Sequence, residues 1–309
     1  DVDGLTVTNS HFDGNDYGMY FQNSNTALES TLTNVSITGT SFNNNAVKGL
    51  YAEKLDNATF NNVQVINSGH INQPTTFFSK VQAGFDINLK FGTFTDIAIT
   101  NSLFEDSGRF YELGGGSGTS DLASALAVKA RDDGGTYGAN PATLTGLTIT
   151  GNTFVSTGTI LPGGTAGAGG TQTVVGLRLG ETNADNAAFG GAVTITGNTF
   201  TNIDTAYADE TVGTVNPGTI FSGNTINGAD AAVIDRTAPY ELGNNLIVGD
   251  ASAQTIKGGT GLDHLHGNGG NDTLTGGTGA DSILGGDGDD RMIWVLGDAN
   301  DTVTGGEAG

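Results

Sequence analysis

Four aspartates near the C-terminal end, Asp263, Asp272, Asp281 and Asp290, stand nine residues apart, each sixth in a block that opens on glycine. The blocks read GGTGLDHLH (258–266), GNGGNDTLT (267–275), GGTGADSIL (276–284) and GGDGDDRMI (285–293), with no slip in register. Carboxylates at a fixed period among glycines make an oxygen-rich donor set. Glycine tolerates positive φ and lets backbone carbonyls turn inward at tight turns. That places Gly258, Gly261, Gly267, Gly276, Gly279 and Gly285 beside the aspartates as candidate metal-site residues. Six or more hard oxygens are what Ca2+ takes. Leu265, Leu274 and Ile283, eighth in their blocks, point the other way as a thin apolar core, and the pattern departs at Met292.

A second set of chemically capable side chains lies far upstream, on short strands that mostly begin at glycine. These are Gly18-Met19-Tyr20-Phe21, Gly49-Leu50-Tyr51-Ala52, Gly84-Phe85-Asp86-Ile87, Ala125-Leu126-Ala127-Val128 and Gly176-Leu177-Arg178-Leu179. Their outward positions include Tyr20, Tyr51, Glu53, Asp86, Asn88, Lys129, Arg131 and Arg178. Tyrosines can stack on sugar rings and Lys or Arg can pair uronate carboxylates. On a long flat ribbon, Tyr20, Tyr51, Glu53 and Asn88 are candidate polysaccharide contacts, and Asp86, Lys129, Arg131 and Arg178 the candidate acid–base groups. Outward strand positions are also polar on any solvated face, which is the plain alternative.

The elements that must position these residues are repeats. Segments LTVTNSHF (5–12), VSITGTSF (35–42), VQVINSGH (63–70), IAITNSLF (97–104), LTITGNTF (147–154), VTITGNTF (193–200) and TIFSGNTI (219–226) alternate as strands do. Their eighth position carries Phe12, Phe42, Phe104, Phe154, Phe200 and Ile226, with His70 as the exception. Their sixth reads Ser10, Thr40, Ser68, Ser102, Asn152, Asn198 and Asn224, whose last three members predict an asparagine ladder. Starts 30, 28, 34, 50, 46 and 26 residues apart fit a coil with insertions. The expected fold is all-β, a right-handed parallel β-helix over 1–244, followed over 245–309 by the nonapeptide region. The spacers GGGSGTS (114–120) and LPGGTAGAGGTQT (161–173) fall at one corner of the coil, where they are expected to wall a groove beside the second strands.

The nonapeptides resemble the G-G-x-G-x-D-x-U-x repeat of the RTX calcium-binding parallel β-roll. The resemblance implies two nonapeptides per turn, with Asp263 over Asp281 and Asp272 over Asp290, and Ca2+ as the cofactor. It further implies an extracellular or cell-surface location, reached by type I secretion from a Gram-negative bacterium. Without calcium the carboxylates repel, so the roll is expected to be largely unfolded. Upstream, GDASAQTIK (249–257) keeps the register with Gln254 in the aspartate place, which predicts a cap without a full site. Downstream, Asp301 is two residues out of phase, and the array stops at Glu307-Ala308-Gly309, which reads as truncation.

Composition narrows the partners. Against 11 basic residues stand 33 acidic ones, a net charge of −22, which argues against nucleic acid and anionic membranes. The absence of cysteine leaves metal as the available staple, and no stretch is long and apolar enough to insert in a membrane.

A β-helix running into RTX repeats resembles the secreted mannuronan C5-epimerases and related alginate-active enzymes. Their signature, Tyr-Gly-Phe-Asp-Pro-His-Glu, is met in AGFDINL (83–89) by Gly84, Phe85 and Asp86, while Ala83, Ile87 and Asn88 replace the tyrosine, proline and histidine. Epimerisation needs an acid and a base on opposite faces, so the family's catalytic groups do not carry over. The expectation is a secreted or cell-surface calcium-dependent β-helix protein with a structural, adhesive or extracellular-matrix role, binding polysaccharide or itself. The alternative is a carbohydrate-active enzyme of the C5-epimerase or polysaccharide lyase type. Convergence of Asp86, Lys129 and Arg178 within a few ångströms in a groove would favour the enzyme; scatter would count against it.

Overall fold

The computed structural model describes residues 1–22, 31–70, 83–108, 123–132, 134–157, 175–180, 186–187, 189–203, 205–212, 221–222, 224–227, 231–236, 245–249, 253, 255–260, 263–294 and 299–306. The chain coils through three parallel sheets, one strand of each per rung. The first sheet holds Leu32–Thr38, Asp56–Asn61, Gly92–Thr100, Ala142–Thr150 and Gly190–Thr196, and the second holds Gln64–Ile66, Leu103–Glu105, Thr153–Val155, Thr199–Thr201 and Thr225–Asn227. The third contains the predicted second strands, Tyr17–Phe21, Lys48–Ala52, Ala83–Leu89, Ser124–Ala130 and Val175–Gly180, and continues with Thr205–Val212 and Ala231–Arg236. This is the expected all-β parallel β-helix. Among the described residues no helix is long and apolar enough to cross a membrane.

Alternation turns the branched and aromatic residues inward. Ile37, Phe60, Ile99, Ile149 and Ile195 from the first sheet meet Phe42, Phe104, Phe154 and Phe200 and, from the third sheet, Leu50, Phe85, Leu126 and Leu177. Phe104 stacks on Phe154 at 5.0 Å and Phe154 on Phe200 at 4.7 Å between centroids, nearly parallel. Corners are turned by left-handed residues. Asn9, Asn62 and Asn101 occupy one corner at φ near 50°, a region asparagine tolerates better than most residues.

One segment sits in a different frame from the one its sequence suggests. Ser41 bridges to Gln64, and Phe104 pairs with Val65, so the aromatic column runs Phe42, Val65, Phe104. The rung is therefore built from Asp56–Asn61 and Gln64–Ile66, with Phe60 between Ile37 and Ile99. His70 leaves the aromatic column and its Nδ1 lies 2.8 Å from the Asn67 carbonyl. Ser68 likewise belongs to a second ladder, in which Asn15, Asn45 and Ser68 donate backbone N–H groups to Asn45, Ser68 and Ser107 side chains.

The predicted asparagine ladder is present. The Ser102, Asn152 and Asn198 amides donate to the Oδ1 atoms of Asn152, Asn198 and Asn224, each at 2.9 Å. The side-chain amides of those asparagines donate to the carbonyls of Ile99, Ile149 and Ile195.

The nonapeptide region continues the third sheet. Strands His264–Gly269, Ser282–Asp287 and Thr302–Thr304 form one wall, and Thr255–Thr260, Thr273–Thr278 and Arg291–Ile293 the other. Residues 18 apart pair, His264 with Ser282 and Thr273 with Arg291, so two nonapeptides make a turn as the resemblance implied. Ile256, Leu265, Leu274 and Ile283 form its thin core, with Met292 packed against it. Asn245–Val248 joins the two regions, parallel to His264–Gly269 and antiparallel to Ala231–Arg236.

Replacing Asn198 by alanine should strand the Asn152 N–H and the Ile149 carbonyl, costing about 1–3 kcal/mol for each buried group orphaned. Chemical denaturation would show this as a lower midpoint; an unchanged midpoint would mean that the ladder adds no net stability.

Candidate functional sites

Two electrostatic sites are built on this frame. In the nonapeptide turns the aspartates form ladders. Asp263 N donates to Asp281 Oδ1, and Asp272 N to Asp290 Oδ1, both at 2.9 Å. Asp281 N donates to Asp301 Oδ1 at the same distance, so Asp301 joins a ladder despite its two-residue offset. The offset is absorbed before Thr302–Thr304, which pairs with Ser282–Leu284 in normal register.

Oδ2 of Asp263, Asp272 and Asp281 is buried, and in Asp281 the other oxygen, Oδ1, serves the neighbouring turn. A Cβ placed on Gly267, Gly276 or Gly285 would collide with Oδ2 of Asp272, Asp281 or Asp290 respectively. A side chain at the opening glycine would therefore displace its own block's carboxylate. Among the described residues no three His, Cys, Asp or Glu side chains converge. Paired aspartates supplemented by turn carbonyls fit Ca2+, which accepts such mixed oxygen sets. Gly258 lies within Thr255–Thr260, Gly279 takes φ 141°, and Gly261 and Gln254 lie outside the described residues.

The second site is on the outer face of the third sheet. Tyr20, Tyr51, Asp86, Ala127 and Arg178 form one column in register, and Asn88 pairs with Lys129 beside it. Neighbouring Leu50, Phe85, Leu126 and Leu177 enter the core, so these side chains point away from it. They are nevertheless buried: Asp86 and Arg178 are 0 % exposed, Lys129 1 % and Tyr51 6 %. The expected open ribbon is therefore an enclosed cluster, reaching solvent at Tyr20, which is 38 % exposed. The spacers 114–120 and 161–173, expected to wall it, lie outside the described residues.

Asp86 and Lys129 come together, and Arg178, two rungs from Asp86 in the same column, acts on it through its charge. Lys129 Nζ is 3.5 Å from Asp86 Oδ1, and Lys48 Nζ donates to Asp86 Oδ2 in a close ion pair. Burial alone would raise the Asp86 pKa, but the Lys129 and Lys48 charges, the Lys48 hydrogen bond and the Arg178 charge outweigh it and hold the carboxyl well below the usual range. Burial, with the Lys129 and Arg178 charges, pushes the Lys48 amine down against the pull of Asp86.

Tyr51 Oη donates to Glu53 Oε1 at 2.7 Å and accepts from Asn88 Nδ2 at 3.2 Å, while Lys90 pairs closely with Glu53. Burial and the Asp86 and Glu53 charges raise the Tyr51 hydroxyl pKa. Tyr17 is pushed up to about 12, chiefly by burial, then by Tyr20, Asp86 and Asp16. Tyr20 stacks on Tyr51 at 5.1 Å. Arg131 stands apart at the strand end, over the Tyr137 ring at 4.5 Å.

Arg178 is the anomaly. Its three guanidinium nitrogens are buried and make no hydrogen bond among the described residues. The register explains why: its neighbours in the column are Ala127 and Ala208, which reach no further than Cβ. Among the described residues Lys48, Lys129 and Arg178 all act on Asp86, inside a protein of net charge −22. Sequence reading overlooked Lys48 because strict alternation turns it inward with Leu50. The backbone breaks parity at Gly49, whose Cβ would meet Phe42 and Val65 in the core. No sequence signal marks that break beyond the glycine itself.

Comparison with known proteins covers only the C-terminal part. The RTX calcium-binding nonapeptide repeat family (HemolysinCabind) matches in four copies over residues 241–274, 248–281 and 266–293. No curated protein matches the chain, and no solved structure does.

Asp86→Ala should destabilise the fold by about 3–5 kcal/mol, as removing one partner leaves buried charge uncompensated, whereas Arg178→Met should leave stability unchanged or raise it. Because its folded pKa is depressed, Asp86 contributes stability that is whole above the ordinary carboxylate pKa of about 4. That stability is lost as pH falls below it, so in Asp86→Asn the acid limb should flatten in pH-dependent melts. Gly276→Ala should raise the calcium midpoint of folding at least tenfold, read by circular dichroism; an unshifted midpoint would separate Asp281 from calcium binding.

Proposed function

We propose that this is a calcium-dependent extracellular β-helix protein that binds an acidic polysaccharide through the cluster around Asp86. The nonapeptide repeats are calcium-binding motifs typical of secreted proteins. Type I secretion from a Gram-negative bacterium is the route that suits them. The single observation that carries the ligand reading is the buried Arg178 guanidinium, which has no hydrogen-bond acceptor among the described residues. Lys129 and Lys48 lie beside the same carboxylate, and a uronate carboxylate would supply the acceptor that Arg178 lacks among the described residues. Tyr20, stacked on Tyr51 at the exposed end, offers a sugar-sized aromatic surface where the polymer approaches. Such binding serves an adhesive or matrix role.

A specific observation also favours the enzymatic reading. Lys129 Nζ lies 3.5 Å from Asp86 Oδ1, which places two ionisable groups together, of the kind that proton removal beside a uronate carboxylate requires in an epimerase or lyase.

Titration with alginate or pectate, against a neutral glucan, tests the binding. The acidic polymers should bind with an affinity that falls as salt rises, and Arg178→Met should weaken binding at least tenfold. Equal binding of the neutral polymer, or an unaffected Arg178→Met, would sink the proposal. Unsaturated product absorbance or proton exchange at C5 would identify a lyase or an epimerase; with neither, binding alone stands.

A further inference from the structure

We propose that strand Asn245–Val248 couples calcium loading of the nonapeptide turns to the order of the last rungs of the β-helix. The strand is shared. On one side Val248, Ile247, Leu246 and Asn245 pair antiparallel with Val233, Ile234, Asp235 and Arg236. On the other, Leu246, Ile247 and Val248 pair parallel with His264, Leu265 and His266. Two further bonds fasten its end to the calcium side: Gly249 N donates to the His266 carbonyl, and Asn268 Nδ2 to the Gly249 carbonyl, both at 2.7 Å.

Polarity makes this junction more than one further rung. Among the described strand pairs it is the antiparallel one, whereas the coil itself advances by parallel stacking. Asn245–Val248 therefore does not extend the winding of the β-helix. It has four residues, too few to hold on one-sided pairing. Its order comes from the nonapeptide side, where Leu265 is buried in the thin core.

The nonapeptide turns in their turn depend on the cation. Stacked aspartates within hydrogen-bond reach of one another's backbone repel when no metal screens them. Each site loaded at ten times its dissociation constant multiplies the folded-to-unfolded ratio by about eleven. In a stacked array each unit is held by its neighbours. When the roll opens, Asn245–Val248 loses its ordering partner and Ala231–Arg236 becomes an end strand. The disturbance then decays through Thr205–Val212 toward Val175–Gly180, which carries Arg178. None of this requires a polysaccharide.

The test is amide hydrogen exchange on the full chain, in Ca2+ and in chelator. Chelation should release the amides of 263–293 and speed exchange at 231–236 at least tenfold. The effect should be smaller at 205–212 and absent at 48–52 and 83–89. If the nonapeptide amides lose protection while 231–236 exchanges at an unchanged rate, the coupling does not exist. A second arm uses Asp272→Asn, placed on the wall away from the shared strand. It should move the calcium midpoints of the nonapeptide amides and of 231–236 upward together. A shift confined to the nonapeptides overturns the proposal. So does normal protection of 231–236 in a variant whose roll never loads.

Discussion

Parallel in-register stacking is the constraint from which the rest of this structure follows. Each rung lies about 4.8 Å from the next, so every side chain meets its equivalent above and below. Columns in which like stacks on like are stable under that rule. Phe104, Phe154 and Phe200 gain ring contact at each step, and Asn152, Asn198 and Asn224 each satisfy a backbone amide of the neighbouring rung. The same rule in the nonapeptides lines up Asp263, Asp281 and Asp301. There the stacked residue carries charge, and stability requires a counter-ion.

How legible these columns are in the sequence depends on whether the column rule or a local irregularity decides each position. The aspartate period is read without ambiguity because nothing interrupts it between Asp263 and Asp290. Asp301 escapes the period, since two extra residues precede it, yet the hydrogen bond from Asp281 restores it to the ladder. Segment 63–70 shows the opposite failure. Val63 and Val65 alternate acceptably in either of two frames, and only the fit of Phe60 between Ile37 and Ile99 selects one. Lys48 was hidden for a related reason: one parity break at Gly49 moves it from the expected core side to the outer face.

The Asp86 cluster is where the column rule is broken. Tyr51, Asp86, Ala127 and Arg178 occupy one column without resembling one another. A repeat optimised for stacking would place a small or self-pairing residue at each step. Instead the protein buries Asp86 among Lys48, Lys129 and Arg178, where desolvation opposes each charge. Local departures from the rules that make a fold stable concentrate at sites kept for another purpose.

The two sites are complementary in their deficits. The nonapeptide end stacks carboxylates that need an external cation, whereas among the described residues Lys48, Lys129 and Arg178 all act on Asp86. With net charge −22, the long-range field repels polyanions, so an acidic ligand could reach the cluster only under screening. Calcium bound at the far end reduces the same net charge while it orders the roll. On the proposed function, an extracellular medium rich in divalent cations would do two things: fold one end of the chain, and lower the barrier to anions approaching the cluster.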